Sequence, residues 1–164
     1  MKRFSYSSLG SFKKCPQQFK IYYLDKVIKP DQGIEAFMGI IVHKTLEYLY
    51  QEVVKGNIPI LDFILEKYEE IWKKAWHKRI AIYRYQEFNP SDYYALGEQC
   101  LARFYRKHRP FSESVKGIEM EIDFRLDDSD EYIMKGILDR VDYDGNGAWE
   151  IHDYKSGKRA LSQK

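Results

Sequence analysis

The sequence predicts an α+β fold, with N-terminal helices packed on a mixed sheet that contains a three-strand antiparallel meander. Apolar residues recur at helical spacing through the first two-thirds of the chain and alternate from Ser114 onward, and the alternating part holds a strong hairpin signal, Asp144-Gly145-Asn146-Gly147. At 164 residues and 44% hydrophobic, the chain has the size and composition of one globular domain with its own core, helical over 1–110 and stranded over 114–155.

Ser7 and Ser8 offer caps for a short helix through Phe12, and Cys15-Pro16 starts a second carrying Phe19, Tyr22 and Tyr23. After Pro30-Asp31-Gln32-Gly33, the residues Met38, Val42, Leu46, Leu49 and Val53 mark one face of a helix over 35–54, which Lys55-Gly56-Asn57 stops. Over 61–82, Phe63, Ile64, Tyr68, Ile71, Trp72 and Trp76 stand among many charges, predicting an amphipathic helix. Asn89 caps and Pro90 opens another, which runs to Lys107-His108-Arg109 and ends at Pro110. Strands follow over 118–126 and 132–143, separated by a turn at Asp127-Asp128-Ser129-Asp130, and a third over 148–155 returns from the hairpin.

The formal charge is +2, which gives no global argument for a nucleic-acid partner. The distribution is uneven: residues 1–29 hold seven Lys or Arg against the single acid Asp25. Further basic clusters are Arg103, Arg106, Lys107, Arg109 and Lys155, Lys158, Arg159, Lys164. Rings interleaved with cations can stack on bases as well as fill a core, and packing is the expected role for most of them here. Two cysteines, Cys15 and Cys100, are too few for a disulfide framework or a four-thiolate metal site, which fits a reducing, cytoplasmic setting. No stretch approaches the ~20 apolar residues of a membrane span, so no membrane partner is expected.

The sharpest chemistry lies on the last two strands. Alternation puts Ile137, Asp139, Val141 and Tyr143 on one face, and Trp149, Ile151, Asp153 and Lys155 on one face of the next strand. The opposite faces, Leu138, Arg140, Asp142 and Glu150, His152, Tyr154, are mostly polar. Matching the apolar faces pairs Tyr143 with Trp149 and Asp139 with Asp153, and points Asp139, Asp153 and Lys155 toward the core. Two facing carboxylates repel unless a cation lies between them, and Mg²⁺ or Mn²⁺ takes one or two carboxylates plus substrate phosphate. Lys155 is then placed to orient the attacking water or stabilise developing charge. The alternative is a salt-bridged cluster, with one aspartate on Lys155 and the other on Arg140 or solvent.

Four ordered segments carry a resemblance: Ser5-Tyr6-Ser7-Ser8-Leu9 with Phe12, Cys15-Pro16, Phe19 and Tyr23; Gly39-Ile40-Ile41-Val42-His43; Gly136-Ile137-Leu138-Asp139-Arg140-Val141-Asp142; and Asp153-Tyr154-Lys155-Ser156-Gly157-Lys158. Together they resemble the PD-(D/E)XK nuclease superfamily, specifically its RecB-like branch of AddB-type helicase-nucleases and CRISPR-associated adaptation exonucleases. The resemblance implies a restriction-endonuclease-like core and hydrolysis of DNA phosphodiester bonds in repair, recombination or CRISPR adaptation. It also implies Asp139, Asp153 and Lys155 as catalytic residues. His43, Asp139, Asp153 and the Tyr154 carbonyl are the implied ligands of Mg²⁺ or Mn²⁺. Glu119 or Glu121 on the first strand offers a further carboxylate, and the sequence does not choose between them. The implied partners are DNA, single-stranded or with free ends, and a helicase or other nuclease subunit.

Two departures from the family pattern shape the expectations. Some relatives hold an iron–sulfur cluster with one N-terminal cysteine, matching Cys15, and three clustered cysteines that have no counterpart here, so no cluster is expected. Cys100 reads as a structural thiol on a helix. The family's Gln-x-x-x-Tyr helix is also missing, since Gln163 stands too near the end, and the chain is expected to be C-terminally truncated. The alternative function is a catalytically silent nucleic-acid-binding or structural module of a larger helicase-nuclease.

Overall fold

The computed structural model describes residues 2–27, 32–83, 87–125 and 131–155. The expected break at Pro30-Asp31, the turn at 127–130 and the motif residues Ser156, Gly157 and Lys158 lie outside the described residues, as do Arg159, Gln163 and Lys164. The structure is α+β, with a mixed sheet of four strands, as expected. It divides into two compact units, residues 1–30 with 119–138 and residues 31–118 with 139–164. Strands β4 (Val115–Arg125) and β5 (Tyr132–Tyr143) contribute residues to both.

In the first unit, β1 (Lys2–Ser5) runs parallel to the start of β5, with Lys2 opposite Tyr132 and Ser5 opposite Lys135. The sequence reading missed β1, because four residues ahead of a helix carry no alternation signal and the partner strand lies far along the chain. Ser5, still extended, caps helix α1 (Tyr6–Lys14): its hydroxyl accepts from the Ser8 N–H at 3.2 Å while the Ser8 hydroxyl accepts from the Ser5 N–H at 2.9 Å. The expected caps Ser7 and Ser8 therefore lie inside the helix. Helix α2 (Pro16–Phe19) starts with proline at its first position and widens into a π-helical turn over Lys20–Leu24.

Three helices form the core of the second unit. Helix α3 (Ile34–Val54) buries Ile34, Phe37, Met38, Ile41, Val42, Thr45, Leu46, Leu49 and Tyr50, the i, i+3, i+4, i+7 stripe of an amphipathic helix. Helix α4 (Leu61–Ala75) buries Ile64, Tyr68 and Trp72, and α5 (Pro90–His108) buries Tyr93, Gly97, Leu101 and Tyr105, each set one turn apart. The helices pack pairwise on one another. Two of the core tyrosines find acceptors for their hydroxyls: Tyr105 donates to the Pro59 carbonyl at 2.9 Å and Tyr93 to Glu35 at 2.9 Å. The N-cap Asn89 and Pro90 act as expected, Asn89 accepting from the Ser91 and Asp92 N–H groups. Helix α4 ends seven residues earlier than expected. Trp76 turns extended, and Ile80–Ala81 forms a short strand, β3, parallel to β2 (Gln32–Gly33). The run Ile80-Ala81-Ile82 fits a helix or a strand by polarity alone, so its periodicity did not reveal the change.

Gly97 on α5 makes room for the Tyr68 side chain of α4. A Cβ there would overlap the hydroxyl of the buried Tyr68 and lie 2.6 Å from its Cζ. Gly97→Ala is therefore expected to destabilise the protein by about 1–3 kcal/mol, overpacking outweighing the helix propensity gained. Gly10→Ala in α1, where a Cβ meets nothing within 4 Å, is expected to be stabilising by up to ~1 kcal/mol. Urea unfolding of the two variants checks this, and equal shifts of the same sign would contradict it.

Candidate active site

The β5–β6 hairpin carries the predicted site residues. Strand β6 (Trp149–His152) pairs antiparallel with β5, Tyr143 opposite Trp149 and Arg140 opposite His152, the register expected from the sequence. The Asp144 carboxylate closes the turn by accepting from the Asn146 and Ala148 N–H groups at 2.7 and 3.0 Å. Gly145 and Gly147 take the positive φ values, 83° and 104°, that the turn needs.

The face assignment is corrected. Ile137, Trp149 and Ile151 are each 60% or more exposed, whereas Arg140 is completely buried and Asp142 is buried beside it. The inward face of the hairpin is thus the polar one, carrying Arg140, Asp142, His152 and Tyr154, although Val141 is buried as well. Counting apolar residues misjudged it because the charges pair with one another, even though Arg140 Nε and Nη1 and Asp142 Oδ1 are left without hydrogen-bond partners among the described residues. Arg140 Nη2 lies 2.9 Å from Asp142 Oδ2 and 2.7 Å from His152 Nε2, and the guanidinium sits 4.2 Å from the Tyr50 ring centroid. A buried charge is tolerable when paired in this way.

On α3, two turns before Tyr50, stands His43, half-buried. Its Nε2 is 2.9 Å from the Tyr154 carbonyl oxygen, which can only accept, so Nε2 carries the hydrogen. Its Nδ1 faces Asp139 Oδ1 at 3.4 Å, and Asp139 Oδ2 accepts from the Tyr154 N–H at 2.6 Å. The Asp139 side chain is only 12% exposed. An Nδ1 lone pair toward a carboxylate oxygen is repulsive unless a proton or a cation lies between them. The donor set, one imidazole nitrogen and a carboxylate, suits a divalent metal, and the Nε2–H bond to a backbone carbonyl is the outer support that orients a ligating histidine. His43, Asp139 and the Tyr154 main chain are therefore brought together. The Tyr154 ring packs between Tyr50, parallel at 6.4 Å, and Phe104, edge-on at 5.3 Å. Burial pushes its phenol pKa far above the usual value, against the lowering effect of the Arg140 guanidinium.

Asp153 and Lys155 do not join this cluster. They lie past the end of β6, largely exposed, and pair with each other at 2.5 Å. The predicted face-to-face opposition of Asp139 and Asp153 is replaced by the Tyr154 N–H bond to Asp139. Of the first-strand carboxylates, Glu121 pairs with Lys135 at 3.5 Å, and Glu119 is half-buried with φ at 47°, a strained value for a residue with a side chain. Asp142, Glu150 and His152 also bring ligand atoms within 4.8 Å of one another, but Arg140 already supplies the cation there. That supporting network was not foreseen, although the predicted register set Arg140 opposite His152 and two residues from Asp142. Cys15 is exposed at the start of α2 and Cys100 half-buried on α5, where burial raises its thiol pKa.

The sequence profile of the PD-(D/E)XK nuclease superfamily matches residues 3–164, and the chain belongs to that superfamily. Membership supports a nuclease, with nucleic acid as substrate class and divalent-metal chemistry. No curated protein and no solved structure gives a significant match. Among the described residues, no helix is long and apolar enough to cross a membrane.

The buried and exposed ion pairs predict opposite sensitivities. Arg140→Ala strands Asp142 and His152 inside the protein and is expected to cost about 3–5 kcal/mol. Asp153→Ala, at an exposed pair, is expected to stay within ~0.5 kcal/mol of wild type. Chemical denaturation compares the two, and an Arg140→Ala protein as stable as Asp153→Ala would refute the network.

Proposed function

We propose that the chain is a RecB-like, metal-dependent deoxyribonuclease that hydrolyses phosphodiester bonds, acting on DNA that is single-stranded or has free ends, in repair, recombination or CRISPR adaptation. The observation that carries this reading is the convergence of His43, Asp139 and the Tyr154 backbone, reached from the motifs of this nuclease superfamily. His43 and Asp139 would hold Mg²⁺ or Mn²⁺, with Asp153 as a further ligand, while the Tyr154 carbonyl, a ligand by the family resemblance, serves here to orient His43 through its Nε2–H. The bound cation supplies Lewis acidity and lowers the pKa of a water. Lys155, two residues beyond Asp153 and exposed, would orient the attacking water and offset charge growing on the phosphoryl group once released from its ion pair with Asp153. Glu119 or Glu121 is the candidate for an additional carboxylate. A helicase or second nuclease subunit is the expected partner. A cytoplasmic setting accords with Cys15 and Cys100 both being free thiols.

One observation favours a second reading, a catalytically silent binding or structural module: Asp153 and Lys155 engage each other. The two readings separate on turnover. Single-stranded DNA is expected to be degraded with Mg²⁺ or Mn²⁺ and left intact with chelator, and Asp139→Asn is expected to remove cleavage. DNA retained without degradation by the wild type would favour the silent module, and cleavage surviving Asp139→Asn would refute the assignment.

Metal binding is read separately by thermal unfolding. A cation at a hundred times its dissociation constant adds about 2.7 kcal/mol of stability, so the melting temperature is expected to rise. Asp139→Asn, Asp153→Asn and His43→Ala are expected to diminish that rise. Lys155→Ala is expected to keep it while losing about 10²–10³ in kcat. An unchanged rise in Asp153→Asn would remove that residue from the ligand set.

A further inference from the structure

The N-terminal helices carry a surface that the proposed active site does not use. Phe12, Phe19 and Tyr23 form a ladder of rings: Phe12 meets Phe19 edge-on at 5.4 Å, and Phe19 stacks on Tyr23 at 5.3 Å with 23° between planes. Phe12 is 51% exposed and Tyr23 40%, with Tyr22 and Leu24 also open to solvent. A core ladder would be covered. Lys13, Lys14 and Lys20 are interleaved with the rings, and Lys26 follows them, all four exposed. Among the described side chains of this segment, the ion-paired cation is Arg3, bound to Asp123 at 3.7 Å, while these four lysines have no carboxylate partner. The last ring of the ladder stands on the π-helical turn Lys20–Leu24, a wider and less stable geometry than the α-helix that occurs often at functional positions.

We propose that this ladder is a docking surface for single-stranded nucleic acid, with bases stacking on the Phe12 and Tyr23 rings and the backbone phosphates meeting Lys13, Lys14 and Lys20. Charge complementarity selects the partner: seven Lys or Arg stand against the single acid Asp25 in residues 1–29 of a chain whose total is only +2. The open rings select a single strand, because bases in a duplex are stacked on one another and have no free face. The surface rests on the nuclease reading for its biological sense, since it would hold the strand that the site cuts.

Fluorescence anisotropy with a labelled short oligothymidylate, in chelator so that no cleavage intervenes, tests the surface in the full chain. Tyr23→Ala and Phe12→Ala are expected to weaken binding roughly five- to hundred-fold, the range for losing one stacked base. Tyr23→Phe, which keeps the ring, is expected to bind as wild type does. Lys13→Glu and Lys20→Glu are expected to lower the salt slope by roughly 0.7 for each phosphate no longer neutralised. Ring variants that bind the strand normally would overturn the proposal, as would an equal loss on a duplex of the same length. Loss of binding only to phosphatidylserine vesicles would assign the surface to a membrane instead and overturn it too. If cleavage depends on Asp139 while the ring variants bind normally, the surface fails and the nuclease reading stands. If nothing is cleaved but Tyr23→Ala loses the strand, the surface stands alone.

Discussion

The Arg140 guanidinium, buried against the Tyr50 ring and paired with Asp142 and His152, is the constraint on which the site geometry depends. Side chains alternate along a strand, so one inward residue largely fixes the parity of its neighbours. With Arg140 inward, Asp139 stands on the other side of the strand, and Tyr154 turns its ring into the core beside Arg140. Its main-chain N–H and carbonyl are then available to Asp139 and His43. Helix α3 reads this arrangement with two residues two turns apart: Tyr50 receives the guanidinium and His43 receives the carboxylate and carbonyl.

This network also explains how a polar face came to be the inner one. The cost of burying Arg140 is offset by an anion, a ring nitrogen and an aromatic face, each supplied by a different part of the fold. Asp139, by contrast, has no permanent cation among its described neighbours. Its carboxylate takes a backbone N–H and faces an imidazole nitrogen. The two aspartates of the Asp139-Arg140-Val141-Asp142 run thus differ, Asp142 held in the Arg140 network and Asp139 facing His43.

Much of this was legible in the sequence. The stripe from Met38 to Val53 located α3 to within one residue, Asn89-Pro90 located the start of α5, and Asp144-Gly145-Asn146-Gly147 fixed both the turn and the register across it. His43 and Asp139 were named as neighbours through family motifs, more than 90 residues apart in the chain. What failed did so for identifiable reasons. β1 is defined by its parallel partner rather than its own residues. The end of α4 depends on Trp76 leaving the helix to meet Phe37, a tertiary contact. The hairpin's inner face was assigned by polarity, which does not register charges that neutralise one another. Asp153 was expected to oppose Asp139, but the ladder ends one residue before it would.

The parity set by Arg140 also governs which length changes this chain can absorb. An extra residue in the Asp144–Ala148 turn is accommodated where the backbone is exposed and glycine-rich, leaving both strands as they were. Deleting a single residue between Arg140 and Tyr143 is different. It shifts every preceding side chain of β5 to the opposite face unless the strand bulges, driving the Asp139 carboxylate against the Tyr50 ring and lifting Arg140 into solvent. Insertions and deletions within β5 are therefore tolerated in pairs, so the hairpin is a frame in which residues are counted in twos.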